Sequence, residues 1–487
     1  MTYDLRHAPW IACEFLDGTN RSVGFVEMFE KAHDIRLFHH DNPLAEAALM
    51  RILLALSHRI LDGPADKKSW KSLYDRGKYD IDTVKAYFQK WHDRFDLFDE
   101  VHPFMQIAGL ETLDNKGHAI KPALSTLVHH IASGNNATLF DHTLDAESPC
   151  FDYPDAAMVL FASLFYSLGG THKKSSNLCG YQGNCKNGTG VKGLWAFVQG
   201  QNLFETLMLN TLIMTGKSPI PFTTQDAPFW EKPVSECGDT MPKGYLDYLT
   251  FTARLVRLIP EREGVRFAHF ACGRSLNTDL DDPFKPLKVV KNDTKLLSAT
   301  LEKALWRDSD ALFHYGSEGF SVRPLEQLAN IGRKIANRPY RITVYGLIND
   351  KANPKGYVKE HFPIPLSLLG KPELRETITQ AIKLAETGYN KLYSAIKTFS
   401  ENTEISMDML KKRAAEPYWA SLHLPFLSFL EHITESTDFS PWEQTIALEA
   451  KKAYETGIRS LVGNDARSIE AYVLGEKKLY FNKGGKP

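Results

Sequence analysis

Apolar residues recur at spacing four along HHDNPLAEAALMRILLALSHRIL. Leu44, Ala48, Ile52 and Leu56 form a stripe that Leu49, Leu53 and Ile60 widen. That period predicts a helix, opened by Asn42 as N-cap with Pro43 at the first helical position. A second helix is expected over roughly 82–94, DTVKAYFQKWHDR. The strongly apolar run AAMVLFASLFYSL, from Ala156 to Leu168, reads as a buried helix that feeds a glycine-rich stretch. Beyond that stretch, LWAFVQG has the length and the β-branched and aromatic content of a short strand, and NLFETLMLNTLI reads as a helix. The region 220–300 is irregular and rich in Pro, Asp and Lys, and YRITVYGL (340–347) reads as another strand.

After FPIPLSLLGKP the texture changes. Leu374, Ile378, Ala381, Ile382, Ala385, Tyr389, Leu392, Ile396 and Phe399 make a helical stripe over about seven turns. Further helices are expected near 405–433, 441–462 and 465–480, with Ser440-Pro441 as cap and first position of the third. Four helices with short links pack as an antiparallel bundle. The expected fold class is α+β: a large mixed α/β N-terminal domain, 1–365, followed by a C-terminal four-helix bundle, 366–487, with the boundary at Pro363–Pro365.

Composition narrows the function classes. The chain has 487 residues, 43% of them hydrophobic and 24% charged, as in an ordinary soluble globular protein of two or more domains. Net charge is −1, so any basic surface must be local. Over 371–487 sixteen Lys and Arg balance sixteen Asp and Glu, and runs such as Lys411-Lys412-Arg413 or Lys451-Lys452 read as solvated faces. Six cysteines in so long a chain do not make a disulfide scaffold, and Cys13, Cys150, Cys237 and Cys272 read as free buried thiols. The opening MTYDLRHAPWIACEF lacks a basic segment followed by an apolar core, and no run approaches the ~18 apolar residues of a membrane span. A cytoplasmic protein without membrane partners is expected.

Residues 169–193, GGTHKKSSNLCGYQGNCKNGTGVKG, hold seven glycines, and Ala156 to Phe204 contains four lysines and no Asp or Glu. Glycine permits close backbone approach and lysine suits an anionic surface, although glycine and serine would equally suit a disordered surface insertion. Gly188, Gly190 and Gly193 match the dinucleotide fingerprint GxGxxG, but the fingerprint needs a strand before it and a helix after it. Here a polar loop precedes and a strand follows. Gly183 and Gly188 have P-loop spacing, yet Thr189-Gly190 stand where Lys-Ser/Thr belong. A nucleotide-binding enzyme built on 183–193 is therefore the alternative reading, with chance matching the better account. His172, Cys179 and Cys185 are zinc-type ligands without a fourth, so a zinc-stabilised interaction scaffold is a second alternative and no metal or other cofactor is expected. His39-His40-Asp41 and His129-His130 are adjacent residues whose side chains diverge; the first suits a helix-entry turn. No GxSxG, HExxH or paired-carboxylate arrangement supports catalysis.

Several segments, in order over nearly the whole chain, are similar to the large subunit of the type I-E CRISPR surveillance complex, the CasA family of Cascade. They are YDLRHAPWI, HPFMQ (102–106), GNNATLFDHT (134–143), the glycine-rich loop with VQGQNLFETLMLN, DDPFKP (281–286), ALWRDSDALF (304–313), RITVYGLINDKA (341–352) and PYWASLHLPFLSFL. The resemblance implies the same architecture and a protein that is not an enzyme. It implies recognition of a protospacer-adjacent motif in double-stranded target DNA from the minor groove, the start of strand separation, and support for recruiting a helicase–nuclease effector. The implied partners are guide RNA and the backbone, 5′-handle and small subunits of Cascade. Carried over residue by residue, it implies DNA contact by Gly169, Gly170, Lys173 and Lys174 of the glycine loop. It implies a basic minor-groove finger at Arg274, where other members are expected to carry lysine, with Lys285 and Lys288 as alternatives that equally suit ordinary surface lysines. It implies a strand-separating wedge at Asn349, Asp350, Lys351 and Ala352, where Lys351 stands at a position often occupied by glutamine and a plain surface turn is the simpler account. Finally it implies a guide-handle docking loop with Asn136, Phe140 and Asp141, of which Phe140 equally suits a core position.

Overall fold

The computed structural model describes residues 1–128, 149–171, 175–178, 184–214, 220, 222–232, 238–276, 280–291, 293–317, 319–330 and 339–480. It divides into two compact units, Met1–Leu301 with Tyr315–His361, and Glu302–His314 with Phe362–Pro487. The mixed α+β architecture with a helical C-terminal region agrees with the class expected from periodicity.

The first unit opens with an antiparallel sheet of β1 (Ile11–Phe15), β2 (Asn20–Val23) and β3 (Ile35–Phe38), β1 central. Next comes α1 (Pro43–Ile60), whose Asn42 cap accepts the Leu44 N–H at 3.0 Å. All of α1 except Arg59 is buried, including the polar face that periodicity would leave in water. Internal partners make this possible. Glu46 accepts from Lys359 Nζ at 2.9 Å and from the Tyr345 hydroxyl, and Arg51, at 0% exposure, donates to Asp282. The second predicted helix is α2 (Ile81–Lys90), ending in a 3₁₀ turn at His92–Arg94. The apolar run becomes α3 (Tyr153–Tyr166), capped by Asp152.

This unit also holds a second three-stranded sheet. Its order is β10 (Asn353–Pro363), β9 (Arg341–Asp350), β4 (Trp195–Gln199), and α4 (Leu203–Asn210) follows β4. The 220–300 region is less irregular than its composition implied. It holds an antiparallel hairpin of β5 (Arg254–Glu261) and β6 (Gly264–Cys272), then a second of β7 (Leu287–Val290) and β8 (Asp293–Leu296). Arginines at 254, 257 and 266 break the apolar alternation of the first hairpin, which hides it from a period-two reading.

In the second unit α5 (Arg375–Thr403) lies against α6 (Met407–Ser421), α8 (Ser440–Ile458) and α9 (Ala466–Lys477). The single helix expected over 405–433 is two, because α7 (His423–Glu431) starts anew after Leu422. Pro425 lacks the N–H that would bond Ser421 and crowds its carbonyl, which ends the run there. Phe439, not Ser440, occupies the N-cap of α8, and the Asp438 carboxylate accepts the Ser440 N–H. Glu302–His314, placed by sequence in the first domain, joins the helices through Trp306. Its buried ring packs on Phe426 at 4.7 Å and Trp419 at 5.8 Å. Arg307 stacks 3.7 Å over Trp419 and bonds Glu386.

Candidate nucleic-acid interface

The glycine-rich stretch has a hydrogen-bonded neck. Leaving α3, the chain pairs Gly170 with Cys185 and Thr171 with Asn184 in a short antiparallel ladder. The Gly188 and Gly190 amides turn back to donate to the carbonyls of Ser167 and Phe165, at 2.8 and 2.9 Å, closing the C-terminal end of α3. Both glycines are there for space. A Cβ on Gly188 would overlap the Phe165 carbonyl oxygen, and one on Gly190 would stand 2.6 Å from the Tyr166 ring. With their amides engaged and β4 rather than a helix following, these glycines form no phosphate cradle.

Two further ties hold the neck. Cys185 is disulfide-bonded to Cys272 at the end of β6. This corrects the reading of Cys272 as a free thiol and takes Cys185 out of any zinc set; His172 and Cys179 lie outside the described residues. Arg254, which pairs with Cys272 across the hairpin, donates to Leu168 O at 2.6 Å and Lys186 O at 2.8 Å. Gly169 packs beneath, its N–H donating to Asn187 Oδ1 at 2.6 Å. Gly170 is exposed, with open space where a Cβ would be. Of the loop residues assigned to DNA, Gly170 alone is shown with a bare backbone facing outward; Lys173 and Lys174 lie outside the described residues.

The loop exit meets two hairpins around β4. Leu194 N donates to Leu297 O and Ala196 N to Phe284 O, so β4 is bonded to the chain just before β7 and just after β8. Asp282, of the DDPFKP segment, accepts from Trp195 Nε1 and Arg51 Nη1, each at 3.0 Å, and from the Tyr248 hydroxyl at 2.9 Å. Burial alone would raise its pKa, but Arg51 and Lys285 turn the net shift downward, so the carboxylate stays ionised. On the other side, β9 pairs antiparallel with β4 from Arg341↔Gln199 to Tyr345↔Trp195. Gly346 to Asp350 then run past the last pair, towards the loop exit, carrying the Lys351-Ala352 turn about 17 Å further at ~3.4 Å per residue.

That turn is the proposed wedge. Asp350, Lys351 and Ala352 are exposed, Lys351 has a left-handed φ of 52°, and Asn349 Nδ2 braces the tip by donating to Lys351 O at 2.7 Å. NDKA is thus a two-residue hairpin tip on a long strand pair, not an isolated surface turn. The β7–β8 hairpin presents a second tip. Val289, Val290, Lys291 and Lys295 are exposed there, Lys288 is half-buried, and Lys291 also has a left-handed φ, 58°.

The finger residues lie elsewhere than expected. Arg274 is 5% exposed, held by Asp247 through both terminal guanidinium nitrogens, by Thr240 through Nε, and stacked 4.2 Å over Phe251. Asp247, whose carboxyl burial alone would push up, is drawn down by Arg274 and Lys232. Lys285 is 6% exposed and donates to Thr189 O at 2.6 Å, tying the DDPFKP segment to the loop. Both cations are spent inside the fold, since an arginine or lysine is buried stably only against such partners. Asn136, Phe140 and Asp141 lie outside the described residues.

Sequence reasoning missed Arg254, the Cys185–Cys272 bridge and the tip lysines Lys291 and Lys295. For the hairpin a signal existed: VVKNDTK places Lys-Asn between two short β-prone runs, a two-residue turn pattern. Arg254 and the bridge carry no local signal.

Comparison with known proteins agrees with the ordered motifs. The family described as CRISPR-associated protein Cse1 matches residues 4–463. The CRISPR-associated protein CasA/Cse1 of Thermus thermophilus is 29% identical over 512 residues, covering 98% of this chain and 96% of that protein. A solved structure of Thermus thermophilus CasA (Cse1) superposes with a TM-score of 0.81 at 25% identity, over 98% of both chains. A chain of a CRISPR RNA-guided surveillance complex shares the fold, with a TM-score of 0.78 at 22% identity over 98% of this chain and 99% of that one. The chain belongs to the CRISPR-associated Cse1 family, the CasA family that its motifs resemble.

Proposed function

We propose that this chain is the non-catalytic large subunit of a type I-E RNA-guided surveillance complex. In that role it reads a short motif in duplex DNA and opens the first base pair of the target. One observation carries the reading: exposed Gly170, the Lys351-Ala352 tip and the β7–β8 tip all issue from segments bonded to β4 or to the loop that enters it. Around the two tips Lys288, Lys291, Lys295, Lys351 and Lys355 stand against Asp293 and Asp350, five cations to two acids, in a chain of net charge −1. Such a local excess suits phosphate, while the bare Gly170 backbone suits close approach to a groove.

In this reading the β7–β8 lysines take the place of the basic finger, with Arg274 and Lys285 bracing from within. Lys351 enters beneath the motif as the wedge. Unstacking one step costs a few kcal/mol, which tip and phosphate contacts offset. The fold matched in a surveillance complex supports assembly with guide RNA and the other Cascade subunits. Recruitment of a helicase–nuclease belongs to the same proposal. Among the described residues no helix is long and apolar enough to cross a membrane.

The test is duplex binding by the assembled complex with a base analogue, 2-aminopurine, at the first target pair. Lys351→Asn keeps a residue that tolerates φ of 52° but removes the charge. It should slow unpairing about tenfold while thermal stability stays within about 0.5 kcal/mol of wild type. Gly170→Ala adds a methyl into open space and should fold normally, yet weaken motif binding about tenfold. Wild-type unpairing and affinity in both variants would remove the DNA reading from these residues.

A further inference from the structure

We propose that Arg254 is a positioning residue for the glycine loop: its guanidinium pins the two strands of the neck together by their carbonyls, so that Gly170 meets duplex DNA in one fixed pose. The proposal rests on the reading of the loop as a DNA contact. Its starting point is a cation in an unusual place. Arg254 is 3% exposed, and its bonds are to three backbone carbonyls, Leu168 O at 2.6 Å, Lys186 O at 2.8 Å and Ala253 O at 2.8 Å. Among the described residues no carboxylate neutralises it, and burial draws its pKa down to about 10. A buried charge without a counter-ion is a costly way to gain stability; an apolar side chain of similar volume commonly serves a core better.

What the guanidinium does that an apolar group cannot is bridge. Leu168 immediately precedes Gly169, and Lys186 immediately precedes Asn187, whose side chain accepts the Gly169 N–H. The two carbonyls therefore belong to opposite strands of the neck, both at the α3 end of the ladder, next to the Gly170↔Cys185 pair. A planar fork with fixed N–H directions sets the distance between them; a lysine ammonium is a single point on a flexible stem and does not. The backbone of Arg254 is itself fixed, because it pairs with Cys272 and Gly273 packs against it, where a Cβ would stand 2.9 Å from its N and C atoms. Cys272 carries the bridge to Cys185. The neck is thus tied to the β5–β6 hairpin by two residues, Arg254 and Cys272, and Arg254 is the one that reaches both strands.

The experiment compares wild type, Arg254→Lys and Arg254→Met in the assembled complex, using one duplex with the motif and one with it scrambled. Amide hydrogen exchange on the full-length chain is followed at Gly169, Gly188 and Gly190. Both variants should lose motif discrimination at least tenfold while binding to the scrambled duplex stays within twofold, and the neck amides should exchange at least tenfold faster. Wild-type discrimination in Arg254→Lys would mean that charge, not geometry, is what matters, and would overturn the proposal. So would unchanged exchange in either variant. Should Arg254→Met fail to assemble, Arg254→Lys with its exchange profile still decides. If the wild-type complex itself shows no motif discrimination, the DNA reading fails first, and exchange shows separately whether the clamp exists.

Discussion

Asp282→Ala should destabilise the first unit by about 3–5 kcal/mol, the penalty typical of breaking a buried ion pair from one side. Asp282 and Arg51 are both 0% exposed at the side chain, and their 3.0 Å contact lies under the loop exit. Among the described residues, removing the carboxylate leaves the guanidinium the Leu249 and Tyr248 carbonyls as hydrogen-bond acceptors, and it removes the carboxylate acceptor of Trp195 Nε1 and of the Tyr248 hydroxyl. The Arg51 charge, stacked 4.5 Å from the Trp195 ring, is fully buried. The pair is costly to break but less costly to replace, so Arg51→Met with Asp282→Leu should recover most of the loss. Urea unfolding of the singles and the double checks this. Equal stability of Asp282→Ala and wild type would show that the carboxylate carries no such weight. Because Trp195 opens β4, the single variant should also loosen the loop exit and weaken DNA binding beyond its effect on stability.

Acidification should cost about 1.4 kcal/mol per pH unit from pH ~6.5 downward through His58 alone. His58 sits in the last turn of α1, buried between Phe222 at 5.6 Å and Tyr245 at 5.3 Å, and among the described residues its Nε2 has no hydrogen-bond partner. Burial draws its pKa down from 6.5 to about 3. The folded-state pKa is the depressed one, so the unfolded chain takes up the proton first. Stability is therefore fully present above pH ~6.5 and declines until pH ~3, by about 3 kcal/mol across the two units from 6.5 to 4.5. His58→Phe removes the titration and should flatten that part of the profile. Asp282 and Asp247, also held below the ordinary carboxylate range, lose their stabilisation only at lower pH, as they protonate. Denaturant midpoints from pH 7.5 to 4.5 for both proteins separate the contributions; parallel profiles would exclude His58.

The periodic elements were legible in the chain. The stripes of α1, α3 and α5 and the β-branched runs of β4 and β9 each carry their own burial signal within a few residues, because an element must hide an apolar face whatever it packs against. The ordered motifs also led to the family, and NDKA marked the position of one hairpin tip. Pro425 sets α7 apart from α6 in a way that local chemistry explains, though the apolar run concealed it.

Tertiary structure decided which polar residues look outward. Arg274 and Lys291 are both cations near the DDPFKP segment in sequence, yet one is bonded to Asp247 in the interior and the other stands at a hairpin tip. No local pattern separates them, since the partners that make burial of a charge tolerable lie 27 residues away for Arg274, 231 for Arg51 and 86 for Arg254. The Cys185–Cys272 bridge spans 87 residues in the same way. Sequence alone thus determined the elements, the family and the presence of an acid-free glycine loop. Only the fold determined that this loop has a clamped neck, that two hairpin tips issue from segments bonded to β4, and which cations are buried against distant partners and which stand at a tip, because long-range pairing is what draws the others inward.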